Sequence, residues 1–238
     1  MNAHTQELAW DREYKKPLVL SPSNKPQSDV VRFKDWLKKK GRKEDNRIDF
    51  TELAVLDLGS GTGRNSYYFA DLGALVTGYE ISETALNVAQ EYAKKSGLPI
   101  TYEKRSIGCP FGLTNESVDL VIDATSSNSL NKEEREIYVR ECARVLKQGG
   151  MLFVRALCKD GDKNARTLIQ NFPGPDSDTY IHPDIGVVET VFSKEEFLKT
   201  YSEYFDVAFL DKTSHYPAIE GRKYKRNYWI AYFMKKPL

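Results

Sequence analysis

Val55–Gly63, VLDLGSGTG, decides the fold of this chain, because an apolar run passes there into three glycines spaced by one residue. The apolar stretch Leu53–Leu58 predicts a strand buried on both faces, and Asn65–Leu72 has the apolar spacing of a helix. The glycines therefore fall at a strand-to-helix turn, where the missing Cβ permits positive φ and lets a ligand approach the backbone. Because the N–H groups of a helix start point outward as donors, the stretch favours a nucleotide-type cofactor site.

The spacing of the glycines separates two classes of cofactor. The dinucleotide fingerprint needs a third glycine three residues after the second, and this position is Arg64. Asp57 followed by GSGTG at 59–63 instead resembles the first motif of the class I S-adenosylmethionine (SAM) dependent methyltransferases. In that family the loop wraps the methionine part of SAM. A glycine turn that binds no ligand stays open as an alternative.

An acidic residue follows the next predicted strand. Ala74–Tyr79 is a short apolar run, and Glu80 stands at its carboxyl end, 17 residues after Gly63. A carboxylate at the tip of the second strand of a βαβ unit accepts hydrogen bonds from both ribose hydroxyls. Since NAD also uses such a carboxylate, the glycine spacing discriminates between the two cofactors and Glu80 does not.

The resemblance covers about Phe50 to Val154 and keeps the element order of the methyltransferase fold. The remaining core elements are predicted as follows: strands at Ile100–Glu103, Val118–Asp123 and Met151–Leu157, and a helix at Glu133–Leu146 ended by Gly149 and Gly150. The fold class implied is α/β, a Rossmann-like seven-stranded sheet, mostly parallel with the last strand antiparallel. Helices are expected on both faces, together with an N-terminal helical cap.

We expect one methyltransferase domain over residues 1–238. Residues 1–50 form the cap, with helices at 7–14 and 29–40, and 51–157 form the SAM-binding core. Residues 158–190 are a long insertion, either an acceptor lid or a surface excursion. Within 191–238, Ser193 and Glu196 form a capping box for a helix, and strands at 205–210 and 228–234 form an antiparallel edge hairpin.

The resemblance also implies which residues contact the cofactor. They lie in the glycine loop, at strand ends and in the cap: Asp57, Gly59, Ser60, Gly61, Gly63, Asn65, Glu80, Ile81, Ser106, Ile107, Asp123, Ala124 and Tyr14. Ser106 departs from the family pattern, because many members carry an acid there for the adenine amino group. Ile107 would pack on the adenine face.

The acceptor side is predicted from polar residues near the same sheet edge. The candidate acceptor contacts are Trp10, Asn128, Arg155, Arg222 and Arg226, and His215 is the candidate base. Methyl transfer is a direct displacement that needs orientation and exclusion of water, and it needs a base only if the acceptor keeps its proton. Each candidate has a structural alternative: Trp10 and Tyr14 can anchor a helix, Arg155 can pair with an acid, and the hairpin arginines can be solvated.

Composition and charge exclude a membrane span and argue against a nucleic-acid partner without ruling it out. The formal net charge of +1 gives no field for nucleic acid, and the basic run 38–43 is better explained as a solvated helix end. A mean hydropathy of −0.55 with no long apolar run excludes a membrane span, and the polar first residues lack a signal-peptide core, so we expect a cytoplasmic protein. Three cysteines and three histidines, scattered along the chain, predict reduced thiols and no metal site.

The sequence therefore predicts a SAM-dependent methyltransferase that transfers a methyl group to an O, N or S atom of a small molecule. Three other functions stay open: methylation of protein or RNA, a SAM-binding module without catalysis, and an NAD-dependent oxidoreductase. Neither the acceptor nor the oligomeric state can be predicted from the sequence, because this fold carries many chemistries.

Overall fold

The computed structural model describes residues 3–18, 20, 23–43, 48–216, 218–219, 222–223 and 225–237. The helices are α1 Ala3–Lys15, α2 Ser28–Lys43, α3 Arg64–Asp71, α4 Glu83–Ser96, α5 Lys132–Val145, α6 Lys163–Asn171 and α7 Lys194–Tyr201. The strands are β1 Ala54–Leu58, β2 Leu75–Glu80, β3 Ile100–Lys104, β4 Val118–Ala124, β5 Leu146–Leu157, β6 Thr179–Ile181, β7 Val188–Thr190, β8 Phe205–His215, β9 Ala218–Ile219, β10 Arg222–Lys223 and β11 Arg226–Lys235.

A seven-stranded sheet forms the centre of the fold, in the order β3-β2-β1-β4-β5-β11-β8. The first five of these strands pair in parallel, whereas β11 runs antiparallel to both of its neighbours. This arrangement confirms the predicted fold class. The strand order reverses between β1 and β4, and open α/β sheets bind ligands beside the carboxyl ends of the strands at such a reversal.

Apolar side chains cover both faces of the sheet. On one face, Tyr138 of α5 and Phe197 of α7 are fully buried within the larger apolar cluster. On the other face, Phe33 of α2 is fully buried, and its ring centroid lies 4.8 Å from that of Tyr232. The apolar stripe of α2 that the sequence predicts thus covers the sheet itself, while α1 contacts α4. No described helix is both long enough and apolar enough to cross a bilayer.

Helix α5 ends within one residue of the predicted position, but the two glycines do not end it. It stops at Val145, and Leu146 is extended with φ −67° and ψ 135° and pairs with Val118 of β4. The carbonyls of Arg144 and Val145 accept hydrogen bonds from the backbone before β4. The prediction that Gly149 and Gly150 end the helix is therefore wrong, because β5 begins before them, where Leu146 pairs with β4.

The insertion at 158–190 has regular structure that the sequence reading missed. It contains α6 and the antiparallel pair of β6 and β7. Ile185 and Val187 pack against Ala9 of α1 in a small apolar cluster. The predicted capping box is confirmed, since Ser193 and Glu196 bond each other's backbone at the start of α7.

Candidate active site

A cavity of about 810 Å³ opens at the carboxyl edge of the sheet, where the strand order reverses. Its walls come from α1, the segment 17–29, the glycine loop, the ends of β2, β4 and β5, and His215–Tyr216. Small-molecule sites typically have volumes of about 300–1,000 Å³. The cavity is therefore large enough for a cofactor and a second small molecule.

The glycine loop turns with positive φ at each of its three glycines, 65° at Gly59, 57° at Gly61 and 90° at Gly63. A Cβ at Gly61 would lie 2.5 Å from the Tyr14 Oη, and one at Gly59 would collide with the Ser126 Oγ. Gly59 and Gly61 line the cavity, whereas Gly63 lies against tyrosine rings behind the loop. Glycine is thus required at these positions for the positive φ and for the close approach of the neighbouring side chains to the loop.

Glu80 is buried at the end of β2 and lines the cavity. Its Oε1 accepts hydrogen bonds from the amides of Ile81 and Ser82 at 2.9 and 2.7 Å, and its Oε2 accepts one from Gly61 at 2.8 Å. Burial raises the pKa of Glu80, while these amides act in the opposite direction. The amides fix the carboxylate at the cavity wall, where it can accept further hydrogen bonds from vicinal hydroxyls.

Asp57 lies beneath the loop rather than in the cavity. It is buried, and its Oδ2 accepts a 2.6 Å hydrogen bond from the Ser66 Oγ in the first turns of α3. Burial raises its pKa to about 6, although the Ser66 bond and the charge of Arg64 lower it. This hydrogen bond connects β1 to α3. A contact between Asp57 and the cofactor stays a prediction.

Helix α1 covers the glycine loop. Asp11 accepts hydrogen bonds from the Ser82 Oγ at 3.0 Å and the Thr84 amide at 2.8 Å, which fixes α1 at the start of α4. The hydroxyl of the half-buried Tyr14 lies against Gly61, and burial of the hydroxyl, followed by the negative charge of Glu80, raises its pKa. Trp10 and Tyr14 both line the cavity, as predicted cofactor or acceptor contacts should.

The loop after β3 lines the cavity with Ser106 and Ile107. The Ser106 Oγ accepts a hydrogen bond from the Gly108 amide at 3.2 Å, so it is partly engaged already. Gln6 lies on the same cavity and donates from Nε2 to the Ser129 carbonyl at 2.7 Å, while its buried Oε1 has no partner among the described residues. Sequence reasoning missed Gln6, because a lone glutamine on a helix carries no motif.

The end of β4 is held by polar side chains that lie outside the cavity lining. Asp123 accepts hydrogen bonds from the Ser126 amide at 2.8 Å and from the Tyr138 Oη at 2.8 Å. The Asn128 Oδ1 accepts one from the Leu157 amide at 3.0 Å. These two residues shape the loop after β4, and their predicted ligand contacts stay predictions. Other predicted cofactor contacts line the cavity: Ser60, Asn65, Ile81 and Ala124.

A cluster of charged and aromatic side chains forms the other end of the cavity. Asp29, almost completely buried at the start of α2, lies 3.3 Å from the Arg155 Nε and 3.4 Å from the His215 Nε2, both measured to its Oδ2. The Arg155 guanidinium stacks on the Tyr228 ring, 3.5 Å from its centroid. Four distant segments meet here: helix α2 and the strands β5, β8 and β11.

Asp29 is the member of this cluster that sequence reasoning missed. The available signal was weak, since an acidic residue in the first turn of a helix is ordinary. Arg155 and His215 were predicted separately, and Asp29 is what joins them. Arg32 also pairs with Asp29, at 3.2 Å, but half of its side chain is exposed.

Two other predicted acceptor contacts are not brought to the cavity. Arg226 is buried elsewhere, with its Nη2 donating to the Tyr180 Oη at 2.8 Å and its Nε 4.0 Å from Asp162. Arg222 is placed in β10, and its side chain lies outside the described residues. No described residue of the insertion at 158–190 lines the cavity either.

The residues present fit SAM. Gly59 and Gly61 place the loop backbone at the cavity wall, and the buried Glu80 carboxylate suits the ribose hydroxyls. Adjoining polar atoms without partners, such as the Gln6 Oε1, are able to accept from an amino group. The described residues contain no group of three histidine, cysteine or carboxylate side chains that could hold a metal ion.

Comparison with known proteins agrees with this geometry. Residues 55–150 match the family model described as "Methyltransferase domain". The chain is 29% identical over 118 residues to a ubiquinone biosynthesis O-methyltransferase of Rhizobium etli, a match covering 49% of this chain and 46% of that protein. The match thus spans about half the length of this curated relative.

Solved structures share the fold over nearly the whole chain. A SAM-dependent methyltransferase from Anabaena variabilis has a TM-score of 0.69 at 16% identity, covering 99% of this chain and 96% of its own. The 1,6-didemethyltoxoflavin-N1-methyltransferase of Burkholderia thailandensis, solved with S-adenosylhomocysteine (SAH), has a TM-score of 0.65 at 12% identity, covering 99% and 89%. Residues 55–150 thus match a methyltransferase domain, whose cofactor is SAM, and the chain as a whole has the fold of solved SAM-dependent methyltransferases.

Proposed function

We propose that this protein transfers the methyl group of SAM to an O, N or S atom of a small molecule. One observation carries the proposal: the same cavity holds the glycine loop with Glu80 at one end and the cluster of Asp29, Arg155 and His215 at the other. The first end suits the cofactor, and the second supplies polar groups for an acceptor.

The strand order separates these two ends. Glu80 ends β2 and Arg155 lies near the end of β5, so β1 and β4 stand between them. At about 4.8 Å between neighbouring strands, three strand steps amount to roughly 14 Å. A cofactor whose ribose binds Glu80 therefore leaves the Arg155 end for a second molecule.

The walls of the cavity favour a small acceptor over a macromolecule. Among the described residues, Tyr14 and Trp10 of α1 cover one side, and Leu20, Asp29 and Tyr216 line other parts of the wall. A protein or RNA acceptor would need an open groove in place of these walls, and a net charge of +1 offers no general attraction for RNA.

The chemistry that these residues supply is orientation, exclusion of water and removal of a proton. SAM supplies the methyl group on a positively charged sulfur. The acceptor lone pair forms the new bond to the methyl carbon as the carbon–sulfur bond breaks, and sulfur keeps the electron pair. The His215 Nε2 lies 3.4 Å from the Asp29 Oδ2, and in this proposal the other ring nitrogen, Nδ1, accepts the acceptor's proton.

The names of the relatives do not assign the acceptor atom. The Rhizobium etli relative is named an O-methyltransferase and the Burkholderia thailandensis protein an N1-methyltransferase. The first is similar to this chain only over about half of its length, and the second shares only the fold. The acceptor atom in the proposal is therefore O, N or S. A cytoplasmic location stays a prediction of the sequence.

The test is SAH production from SAM with a panel of small hydroxyl, amine and thiol compounds, alongside SAH binding by calorimetry. The proposal predicts SAH binding and acceptor-dependent turnover, with turnover lost in His215→Ala for any acceptor that must lose a proton. Binding of SAH without turnover of any acceptor would favour a SAM-binding module. Absence of SAH binding would contradict the proposal itself.

A further inference from the structure

The Arg155 guanidinium presents unused donors to the cavity. Asp29 engages only its Nε, at 3.3 Å, and no described residue accepts a hydrogen bond from Nη1 or Nη2. The plane of the guanidinium is fixed by stacking on Tyr228. Arg155 is buried and lines the cavity, so its two terminal amino groups form a fork available to a ligand bound there.

A second arginine, Arg64, lines the same cavity at the start of α3. No hydrogen bond or ion pair joins its guanidinium to any residue that the structure describes. Burial, together with the nearby positive charge of Arg155, lowers the pKa of Arg64. Asp29 already compensates the charge of Arg155, whereas Arg64 is a partly buried cation that would be stabilised by negative charge from a bound molecule, because burying unpaired charge is costly.

SAM provides one such negative charge and no more, its methionine carboxylate. Arg64 directly follows the glycine loop at Gly63, so it stands beside the cofactor end of the cavity. Arg155 lies beyond β4 at the acceptor end, next to His215. The SAM carboxylate is therefore matched to Arg64, whose charge is not compensated by an ion pair with any described residue, and the Arg155 fork is left for the acceptor.

We propose that the acceptor is a small carboxylic acid, whose carboxylate binds the two Nη groups of Arg155 while its methylated atom lies toward His215. This inference rests on the proposed function and names its substrate class. A carboxylate is planar and matches the fork with two parallel hydrogen bonds. A phosphate, with up to two negative charges, would meet the buried Asp29 carboxylate beside the same guanidinium.

The carboxylate is the anchor and not the nucleophile. Two hydrogen bonds from Arg155 occupy both of its oxygens, which lowers their reactivity toward the methyl group. A separate hydroxyl, amine or thiol of the acceptor gives its lone pair to the methyl carbon and its proton to His215. Sulfur leaves with the electron pair of the broken bond, as SAH.

The experiment compares matched pairs of compounds, each a hydroxy, amino or thiol acid and its own carboxamide, as methyl acceptors for the full-length protein. We expect kcat/KM for each acid to be at least about tenfold higher than that for its amide. Loss of hydrogen bonds to a charged group is expected to lower binding by at least this factor. In Arg155→Met the acid should fall to the level of its amide, while the Kd for SAH changes less than about twofold. Arg155→Lys keeps the charge but loses the fork and should lie between them.

Arg226→Met is the matched control, because it removes another buried arginine that does not line the cavity. It should leave the acid-to-amide ratio unchanged. If Arg155→Met fails to fold with Asp29 left unpaired, the double variant Asp29→Asn and Arg155→Met removes both charges and gives the same comparison.

Three outcomes would overturn the inference while leaving the proposed function intact. In the first, the wild-type protein methylates the amides as well as their acids, and in the second it binds SAH and methylates neutral acceptors only. In the third, Arg155→Met loses SAH affinity along with its selectivity for acids. Turnover of no acid in the panel would also overturn it. If the wild-type protein bound no SAH and turned over nothing, the proposed function would fail with it.

Discussion

The two ends of the cavity are built in different ways. The centre of the cofactor end comes from residues 59–82, a continuous stretch in which the backbone amides of Gly61, Ile81 and Ser82 hold the Glu80 carboxylate. The acceptor end combines side chains from α2, β5, β8 and β11, which are far apart in the sequence. A site made from one local segment leaves a sequence motif, and a site made by packing distant segments does not.

This difference also predicts how the ends respond to mutation. The cofactor end depends on backbone conformation, so a single added methyl group is enough to disrupt it. The acceptor end depends on individual charges, so isosteric changes should alter its chemistry without altering cofactor binding. The following variants test that separation.

Gly61→Ala should have the largest effect. Its φ of 57° is unfavourable for alanine, and the new Cβ would lie 2.5 Å from the Tyr14 Oη. We expect the Kd for SAH to rise at least about a hundredfold, because a loop distortion removes several contacts together. Isothermal titration with SAH measures it, and circular dichroism checks that the sheet remains folded.

The double variant Gly61→Ala and Tyr14→Phe identifies what the new methyl group meets. Without the Tyr14 hydroxyl, the collision with α1 is relieved, and any collision with the cofactor remains. We expect SAH binding to stay weak. Recovery of affinity would show that Gly61 serves only the packing of α1, and unchanged affinity in the single variant would contradict the assigned cofactor end.

Asp57→Asn should change how stability depends on pH. The native pKa of about 6 lies above the ordinary value of 3.8, so between these values the folded protein binds a proton that the unfolded chain does not. The free energy of unfolding therefore falls as pH rises from about 4 to 6, by on the order of 3 kcal/mol from this group. Asparagine keeps an acceptor for Ser66 and removes that contribution.

Chemical denaturation at several pH values between 4 and 6 checks this expectation. Glu80 and Asp123, whose pKa values are also raised by burial, should leave a residual slope of the same sign. Asp71→Asn, at the exposed end of α3, is the control and should keep the wild-type profile. An Asp57→Asn profile equal to that of the wild type would show that the buried carboxyl does not titrate there.

Asp29→Asn should have the smallest and most selective effect. It removes the negative charge that Arg155 and His215 share, so kcat/KM for the acceptor should fall about tenfold. The Kd for SAH should stay within about twofold. Asp35→Asn, an exposed change on the same helix, serves as the control. Equal losses of SAH affinity and turnover would show that the two ends of the cavity are not separable.

The parts of the fold that the sequence predicts correctly are those with a local cause. Each core strand was placed to within a few residues, because the apolar periodicity of strands buried on both faces is strong. The start of α7 follows from one capping box. The second predicted helix and its buried apolar stripe also follow from spacing alone.

The parts that were missed depend on contacts between distant segments. Strand β5 begins at Leu146, five residues before the predicted start, because Leu146 pairs with Val118, and no residue near Gly149 signals this pairing. Arg226 and Arg155 look alike in sequence, yet packing places one beside Tyr180 and the other in the cavity. Asp29 becomes part of the site only because α2 packs beside the end of β5.

The most direct test of the central claim is calorimetric titration of the wild-type protein with SAH, with NADH as the parallel ligand. We predict saturable binding of SAH at one site per chain and no binding of NADH, because the loop has the GxGxG spacing and Arg64 replaces the third dinucleotide glycine. Binding of NADH in place of SAH, or of neither, would contradict the assignment of the cofactor end and of the chemistry built on it.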